Sequence, residues 1–374
     1  MSKVGIITMH RVGNYGSILQ AYALQQAIDQ MGFDAELIDY EYPNEFQYAR
    51  GVRRPVNDWK TKVWRMCGPL KDSNRKLYRM RGFQREFYKV SKYFPDCDSL
   101  HTAPPVYDLY VTGSDQVWNP THSKGDSSFL LDFIPRDAPR ISYASSFSGN
   151  NVAATEYAES FRQLLSRYNR IAVRENSDAG IAETLTSCKP EITLDPTLLL
   201  DADHWRSLAN RRNYGLRKGS YILLYVLSYA FDPRPYIFNL AAHLSAKKGL
   251  PVVAIDDAGT ITYPNGVRRI CDAGPREFLS LFDGASCVVT SSFHGCAFAV
   301  NFGHPVYGVV NNAISDSRIS SFLNEMQIPS AVIPLGTLLA DIPLDLDMAP
   351  AAAALSLRRS ASLSYLRSAL TNSK

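Results

Sequence analysis

The chain has 374 residues, of which 45% are hydrophobic and 20% charged, with a formal net charge of +4. That balance excludes a disordered chain, and the length exceeds what one ordinary core holds, so two domains are expected. No apolar run approaches the roughly 20 residues of a bilayer span, and the first residues lack a signal peptide's charged-then-apolar design, so a cytoplasmic protein is expected.

The chain opens on "KVGIIT", which reads as a buried strand, followed by the loop "MHRVGNYG". "SILQAYALQQAIDQMG" carries apolar residues at helical spacing, with Ser17 as its candidate cap and Gly32 as its candidate stop, and "FDAELIDY" alternates as a second strand. Strand, loop, helix and strand open a doubly wound parallel sheet.

A basic segment follows, over 50–92. From Arg50 to Lys89 it holds thirteen Lys/Arg against Asp58, Asp72 and Glu86, so 13 − 3 leaves ten net positives in a chain whose total is only +4. Trp59, Trp64, Tyr78, Phe83, Phe87 and Tyr88 are interleaved with these charges. A solvated helical face fits this pattern, and so does an electrostatic landing strip for an anionic partner: a lipid surface, a diphosphate or nucleic acid.

Strands resume with "DLYVTGS" and "RISYASSF". A polar helix from about Thr155 to Tyr168 leads into "RIAVRE", a further helix and "EITLDPTLLL". A second β/α series starts at "GSYILLYVLSY" and runs through "PYIFNLAAHLSAKKG", "LPVVAIDD", "GPREFLSLFDGA", "CVVTSS", "FHGCAFAVNFG" and "HPVYGVV". The expected fold is α/β, with two Rossmann-like domains, 1–205 and 206–345, facing across a cleft. A C-terminal helix over 346–374, packing back on the first domain, completes it. The six cysteines form no Cys-x-x-Cys pair and no Cys/His cluster with zinc spacing. Reduced thiols are expected, with no metal and no cofactor.

Ligands in open α/β sheets sit at the carboxyl ends of the strands, where helix N-termini bind anions. That rule selects the loops 9–16, 112–119, 144–149, 173–176, 290–295 and 311–318. In the first, "GNYG" is neither a P-loop nor a dinucleotide fingerprint. Its glycines serve a tight turn or admit a ligand to the backbone, with Asn14 and Tyr15 offering hydrogen bonds. "GSDQVWN" gathers Asp115, Gln116, Trp118 and Asn119, a flat apolar surface beside polar groups, which suits a sugar. Asp115 fits either a base for a hydroxyl or an ordinary turn residue. Arg174, beside Glu175, fits a local ion pair or a fork for phosphate or carboxylate, and Arg318 in "SDSRI" invites the same two readings. His294 follows a strand and opens a helix at Gly295, where glycine lets an anion approach the N–H groups. Histidine is the natural proton shuttle near neutral pH, although a histidine at a turn more often caps or packs.

Together these loops resemble the polysaccharide pyruvyl transferase family. "VGIITMHRVGNYGSILQAYALQQAIDQMGFDAELIDY", "YDLYVTGSDQVWNP", "ISYASSFSG", "IAVREN", "LDPTLLL" and "VVTSSFHGCAFAVNFGHPVYGVV" follow the family's blocks in order over about residues 3–325. The resemblance implies a GT-B-like fold and transfer of pyruvate from phosphoenolpyruvate onto two hydroxyls of a sugar, giving a cyclic ketal, without a metal. It implies that His294 is the catalytic acid or phosphate partner and that Arg174 contacts the donor, with Ser292, Gly295 and Arg318 in the same donor site. Asp115 is then the candidate base, and Asn14, Tyr15, Gln116 and Trp118 the candidate acceptor contacts.

Many members carry arginine where this chain has Ser292, and Arg318, Arg269 and His10 are the candidates to replace it. The acceptor implied is an oligosaccharide on a polyprenyl diphosphate, destined for a bacterial capsule or exopolysaccharide. That acceptor would give the basic segment a purpose at the anionic inner face of the plasma membrane; no nucleic acid partner is expected. A GT-B glycosyltransferase using a nucleotide sugar and a non-catalytic, glycan-binding family member fit the same loops.

Overall fold

The computed structural model describes residues 1–43, 72–209, 214–228, 231–256, 261–311 and 317–373. The chain divides into two compact units. One is built from the described residues of Met1–Pro55, Gln84–Leu200 and Arg358–Lys374, the other from those of Val56–Phe83 and Asp201–Leu357.

In chain order the first part of the chain supplies β1 (Lys3–Ile7), α1 (Tyr15–Gln30), β2 (Asp34–Tyr40), α2 (Asp72–Phe87), β3 (Val90–Phe94), β4 (Leu109–Thr112), β5 (Arg140–Ser142), β6 (Ala172–Val173), α3 (Asn176–Thr186) and β7 (Glu191–Ile192). The second part supplies β8 (Ile222–Tyr225), α4 (Tyr236–Lys248), β9 (Val252–Ile255), β10 (Arg268–Ile270), α5 (Pro275–Asp283), β11 (Cys287–Thr290), α6 (Phe293–Phe302), β12 (Val306–Val310), α7 (Ser317–Glu325), β13 (Val332–Pro334) and α8 (Ala349–Asn372). Among the described residues no helix is long and apolar enough to cross a membrane.

The first unit's sheet runs β3-β2-β1-β4-β5, all parallel, and single bridges at Ile141–Arg170 and Ser145–Val173 join it to the β6-β7 pair. The second unit's sheet runs β10-β9-β8-β11-β12-β13, also parallel throughout. Each is a Rossmann-type order with one reversal, between β1 and β4 in the first and between β8 and β11 in the second. The central strands "ILLY", "VVAI" and "CVVT" are buried along their whole length, because helices cover both faces of a parallel sheet. The edge strands β3, β10 and β13 are only partly buried.

Capping fixes where α1 begins. Its cap is Asn14, not Ser17: Asn14 Oδ1 accepts the N–H of Gly16 at 2.8 Å and of Ser17 at 3.4 Å. Ser17 therefore lies within the first turn, with its hydroxyl available for another partner. The stop is as expected, with Gly32 at φ +92° just beyond the helix end.

Loop 8–11 is held by charge from beneath. Arg11 is fully buried and donates to Asp39 at 2.7 Å and to Glu41 at 3.0 Å, while His10 Nε2 lies 3.2 Å from Asp39. Burial works against the Asp39 charge, yet His10 and Arg11 hold its carboxyl below the usual range. His10 is thus committed to the core of the first unit, which removes it as a substitute for the arginine missing at Ser292.

The helix α8 runs on into the first unit. There Ser362 Oγ accepts the Leu194 N–H at 3.0 Å, Tyr365 donates to the Ser142 carbonyl at 3.1 Å, and Arg359 donates to the Leu198 carbonyl at 2.6 Å.

Of the basic segment, residues 50–71 lie outside the described residues. The helix α2 that follows uses its charges internally. Arg75 donates to Asp272 at 2.8 Å, and Arg79 lies 3.1 Å from the same carboxylate and 2.6 Å from its carbonyl, all within the second unit. These arginines are structural in the described part of the segment, not a free cationic face.

The two kinds of ion pair should differ sharply on mutation. Arg11→Met leaves buried Asp39 without its guanidinium and should cost about 3–5 kcal/mol in chemical denaturation. Arg75 is 32% exposed and shares Asp272 with Arg79, so Arg75→Met should cost no more than about 1 kcal/mol in the same measurement.

Candidate functional site

The reversal between β1 and β4 in the first unit is built from short-range polar contacts. Beyond β4 the chain turns through Gly113 at φ +124° and Asp115 at φ +72°. A Cβ on Gly113 would lie 2.1 Å from the Tyr143 carbonyl, so both space and backbone angle call for glycine there. The turn aims Asp115 back at α1, where Ser17 Oγ donates to Asp115 Oδ2 at 2.7 Å, while the Gln116 N–H donates to Oδ1 at 2.9 Å. Asp115 is 8% exposed.

Arg174, just past β6, points into a ring of acids. Its Nε donates to Glu175 at 2.7 Å, its Nη1 donates to Asp195 at 3.1 Å, and Asp115 Oδ1 lies 3.8 Å from Nη1. Burial opposes its charge, but Glu175, Asp195 and Asp115 together raise its pKa above the ordinary arginine value. Asp195 is itself fixed as the cap of the turn Pro196–Leu198, accepting from Thr197 Oγ1 at 2.7 Å and from the Thr197 N–H at 3.0 Å. Among the described residues, one guanidinium faces three carboxylates here.

Asp178 lies beside Glu175 at the edge of this ring. It accepts from the N–H groups of Phe147 at 2.8 Å and Gly149 at 3.0 Å. Burial, then the charge of Glu175, nevertheless pushes its carboxyl up to about 7.

In the second unit the corresponding place is the reversal between β8 and β11. The hydroxyls of "TSS" close the strand ends: Thr290 donates to the Tyr225 carbonyl at 2.6 Å, and Ser291 both donates to the Leu227 carbonyl at 2.8 Å and accepts its N–H at 3.0 Å. Ser292 caps α6, its Oγ accepting the Gly295 N–H at 3.3 Å. A Cβ on Gly295 would meet Thr290 Oγ1 at 2.4 Å, so this glycine is required by packing on the strand end. Its N–H is engaged by the cap, and the anion approach expected at Gly295 has no support at that atom. His294 stands in the first turn of α6, partly exposed, with its ring edge-on to Phe293 at 5.2 Å.

The cations expected beside it differ. Arg269 is paired with Asp256 at 2.5 Å. Arg318, in the first turn of α7 beyond β12, is partly exposed and has no ion-pair partner among the described residues.

Several expected contacts fall elsewhere. Trp118 is fully buried, packs on Phe147 and Tyr168, and donates to the Phe129 carbonyl at 3.3 Å, so it offers no face to a sugar. Tyr15 is likewise fully buried. Asn14 uses its side-chain oxygen as a helix cap, and Gln116 Oε1 accepts from Asn119 Nδ2 at 3.1 Å. Arg174, enclosed by carboxylates and 3% exposed in its side chain, is an organiser of acids rather than a free anion fork. The structure adds Ser17, Gln20, Asp178 and Asp195 to the strand-end chemistry. Their signal in the sequence is a polar residue set in an apolar frame, as in "ILQAYALQQ" and "LDPTLLL".

A Cys–His–Asp alignment also lies beyond β3, in the helix Cys97–Thr102. Cys97 Sγ is 3.3 Å from His101 Nδ1, and His101 Nε2 is 3.3 Å from Asp132. Burial pushes the Cys97 thiol up, Asp126, Asp132 and Asp98 add to the effect, and Ser128 opposes it. The thiol is therefore kept protonated and does not form a ready nucleophile.

Residues 14–312, well over half of the chain, match the family model of polysaccharide pyruvyl transferase. No curated protein matches the chain significantly. Among solved structures, the UDP-GlcNAc 2-epimerase from Methanocaldococcus jannaschii is similar with a TM-score of 0.52 at 10% identity, covering 98% of this chain and 100% of that one. The UDP-GlcNAc 2-epimerase from Neisseria meningitidis bound to UDP-GlcNAc gives 0.50 at 10% identity, with the same coverage. At this identity the likeness carries the fold alone, which is α/β and GT-B-like with two Rossmann-type sheets and a C-terminal helix.

The proton on Asp178 makes a measurable prediction. Its folded-state pKa, about 7, lies above the ordinary 3.8, so its contribution to stability is full below about pH 4 and is lost as the pH rises toward 7. The stability cost of Asp178→Asn, read as the melting-temperature difference from wild type, should therefore be largest near pH 4–5 and shrink toward pH 7–8.

Proposed function

The chain belongs to the polysaccharide pyruvyl transferase family, and on that premise we propose that it transfers pyruvate from phosphoenolpyruvate onto two hydroxyls of one sugar, closing a cyclic ketal and releasing phosphate. The observation that carries this reading is the position of His294, in the first turn of a helix directly beyond β11, where the strand order of its sheet reverses. Ligands of such sheets bind at that point, and helix N-termini there favour anions.

In this reading the dipole of α6 and the Arg318 guanidinium meet the charge of phosphoenolpyruvate. His294 protonates the methylene carbon, which becomes the methyl group and leaves its neighbour electrophilic. A sugar hydroxyl adds there and gives its proton to Asp115. Phosphate departs, and the second hydroxyl closes the ring on the same carbon. The proton taken by Asp115 passes to the departing phosphate and that of the second hydroxyl restores His294, so donor and diol give ketal and hydrogen phosphate. No step calls for a metal.

The three carboxylates gathered around Arg174 support assigning the acceptor's hydroxyls, not the anionic donor, to the first unit's strand ends. We assign the acceptor to a cell-surface oligosaccharide carried on a polyprenyl diphosphate. Approach to an anionic inner membrane face would then fall to residues 50–71, since Arg75 and Arg79 are engaged by Asp272.

The test is phosphate release from phosphoenolpyruvate with a panel of neutral aryl hexosides, with the ketal product read by mass spectrometry. Wild type should release phosphate in step with product, and His294→Gln should lower the rate by about 100-fold or more. Full release by His294→Gln, or thermal stabilisation by UDP-sugars with none by phosphoenolpyruvate, would overturn the proposal.

A further inference from the structure

We propose that Ser17 is a positioning residue for this reaction, its hydroxyl holding the Asp115 carboxylate in the orientation that accepts a sugar proton. The inference rests on the reading of Asp115 as hydroxyl base and deepens it: the opening loop and helix then act as a clamp on the base rather than as an acceptor-binding surface.

The clamp can be followed atom by atom. Asn14 caps α1, which leaves the Ser17 hydroxyl free of capping duty, and that hydroxyl donates to Asp115 Oδ2 at 2.7 Å across 98 positions of sequence. One turn further on, buried Gln20 donates from Nε2 to Thr8 Oγ1 at 2.9 Å and to the Ser17 carbonyl at 3.1 Å. Gln20 Oε1 accepts the N–H of Ser114 at 3.2 Å, and Thr8 Oγ1 donates to the Ser114 carbonyl at 3.1 Å. The residue before Asp115 is thus gripped at both its N–H and its C=O, and Asp115 itself at its side chain. A carboxylate at φ +72° has a backbone that ordinary strand or helix geometry does not set, so these contacts set it instead.

Among the described residues, charged and titratable groups reach Asp115 from three other segments. Arg174 lies 3.8 Å away beyond β6, and behind it Glu175 and Asp195 share its guanidinium. Tyr42, beyond β2, has its phenol pushed up by burial and then by the Asp115 charge. Because two other carboxylates compete for Arg174, a neutral donor at hydrogen-bond distance has a large share in fixing Asp115. A hydrogen bond to the ionised form favours that form, so losing the Ser17 hydroxyl should make Asp115 easier to protonate.

The full-length protein with Ser17→Ala, Ser17→Thr and Asp115→Asn tests this. With phosphoenolpyruvate and the best hexoside of the panel, Ser17→Ala should lower kcat about tenfold, with KM for phosphoenolpyruvate unchanged and the acidic limb of the pH profile moved to higher pH. Ser17→Thr, which keeps the hydroxyl, should restore both. In protein labelled with 13C at aspartate Cγ, the carboxyl signal absent from Asp115→Asn should titrate at higher pH in Ser17→Ala, with no acceptor needed. If alanine lowers the melting temperature strongly, Ser17→Cys, close in size but a weak donor, gives the same comparison. Wild-type kcat and an unmoved titration in Ser17→Ala, beside an inactive Asp115→Asn, sink this proposal alone. Full turnover by Asp115→Asn sinks the base assignment beneath it.

Discussion

The first unit depends on one buried guanidinium. Arg174 sits within reach of Glu175, Asp195 and Asp115, which arrive from the ends of different strands. Removing any of these groups from water is costly, and the cost is recovered only while the set is complete. The strand ends after β4, β6 and β7 are therefore tied to one another by charge. The same ring explains why the polar groups around it look as they do. Thr197 takes up the second oxygen of Asp195 and Ser17 that of Asp115, while burial and then the charge of Glu175 push the Asp178 carboxyl up to about 7. An acid-rich pole of this kind can take a proton from a hydroxyl, and it repels a second polyanion.

The second unit meets its own constraint differently. There the strand ends carry no acid cluster in "TSSFHG"; hydroxyls from Thr290 and Ser291 bind backbone carbonyls, and Gly295 packs against Thr290. This closes the β8–β11 reversal with neutral groups and brings a helix N-terminus and a histidine to its mouth. The two units thus differ in electrostatic character at the same position of the same fold, acids in the first and neutral hydroxyls with a helix N-terminus in the second.

What was legible in the sequence followed from burial. Strands covered on both faces, such as "VVAI" and "CVVT", read as unbroken apolar runs, and their order with the intervening helices announced two doubly wound sheets. The edge strands β3, β10 and β13 went unseen, because "VSKYF", "RRI" and "VIP" are short and half-exposed, and the first lies inside the charged stretch. Site residues were legible by position but not by role. Asp115 and Arg174 stand at strand ends as the pattern implied, yet no local signal reveals that Arg174 faces Asp195, 21 positions away, or that Ser17 faces Asp115. Trp118 was misleading for a physical reason: a tryptophan among polar loop residues suits a sugar face and a core plug equally, and only the packing on Phe147 and Tyr168 separates them.

Ser292 shows how a departure from a family pattern can be structural in origin. The residue at the cap of α6 has one side chain and two possible tasks: to satisfy its own helix or to reach outward. A serine there accepts the Gly295 N–H and settles the helix end; an arginine would leave that donor open and extend a charge toward a ligand instead. With the first choice made, the proposed donor anion would lose one direct cation at this strand end, and the proposal needs its charge met from a neighbouring loop. Arg269 is held by Asp256 and His10 by Asp39, whereas Arg318 stands at the start of α7 beyond the adjacent strand β12 with no carboxylate partner among the described residues. In the proposed reading, Arg318 at the start of α7 takes the part of the guanidinium absent at 292, one strand further along the sheet.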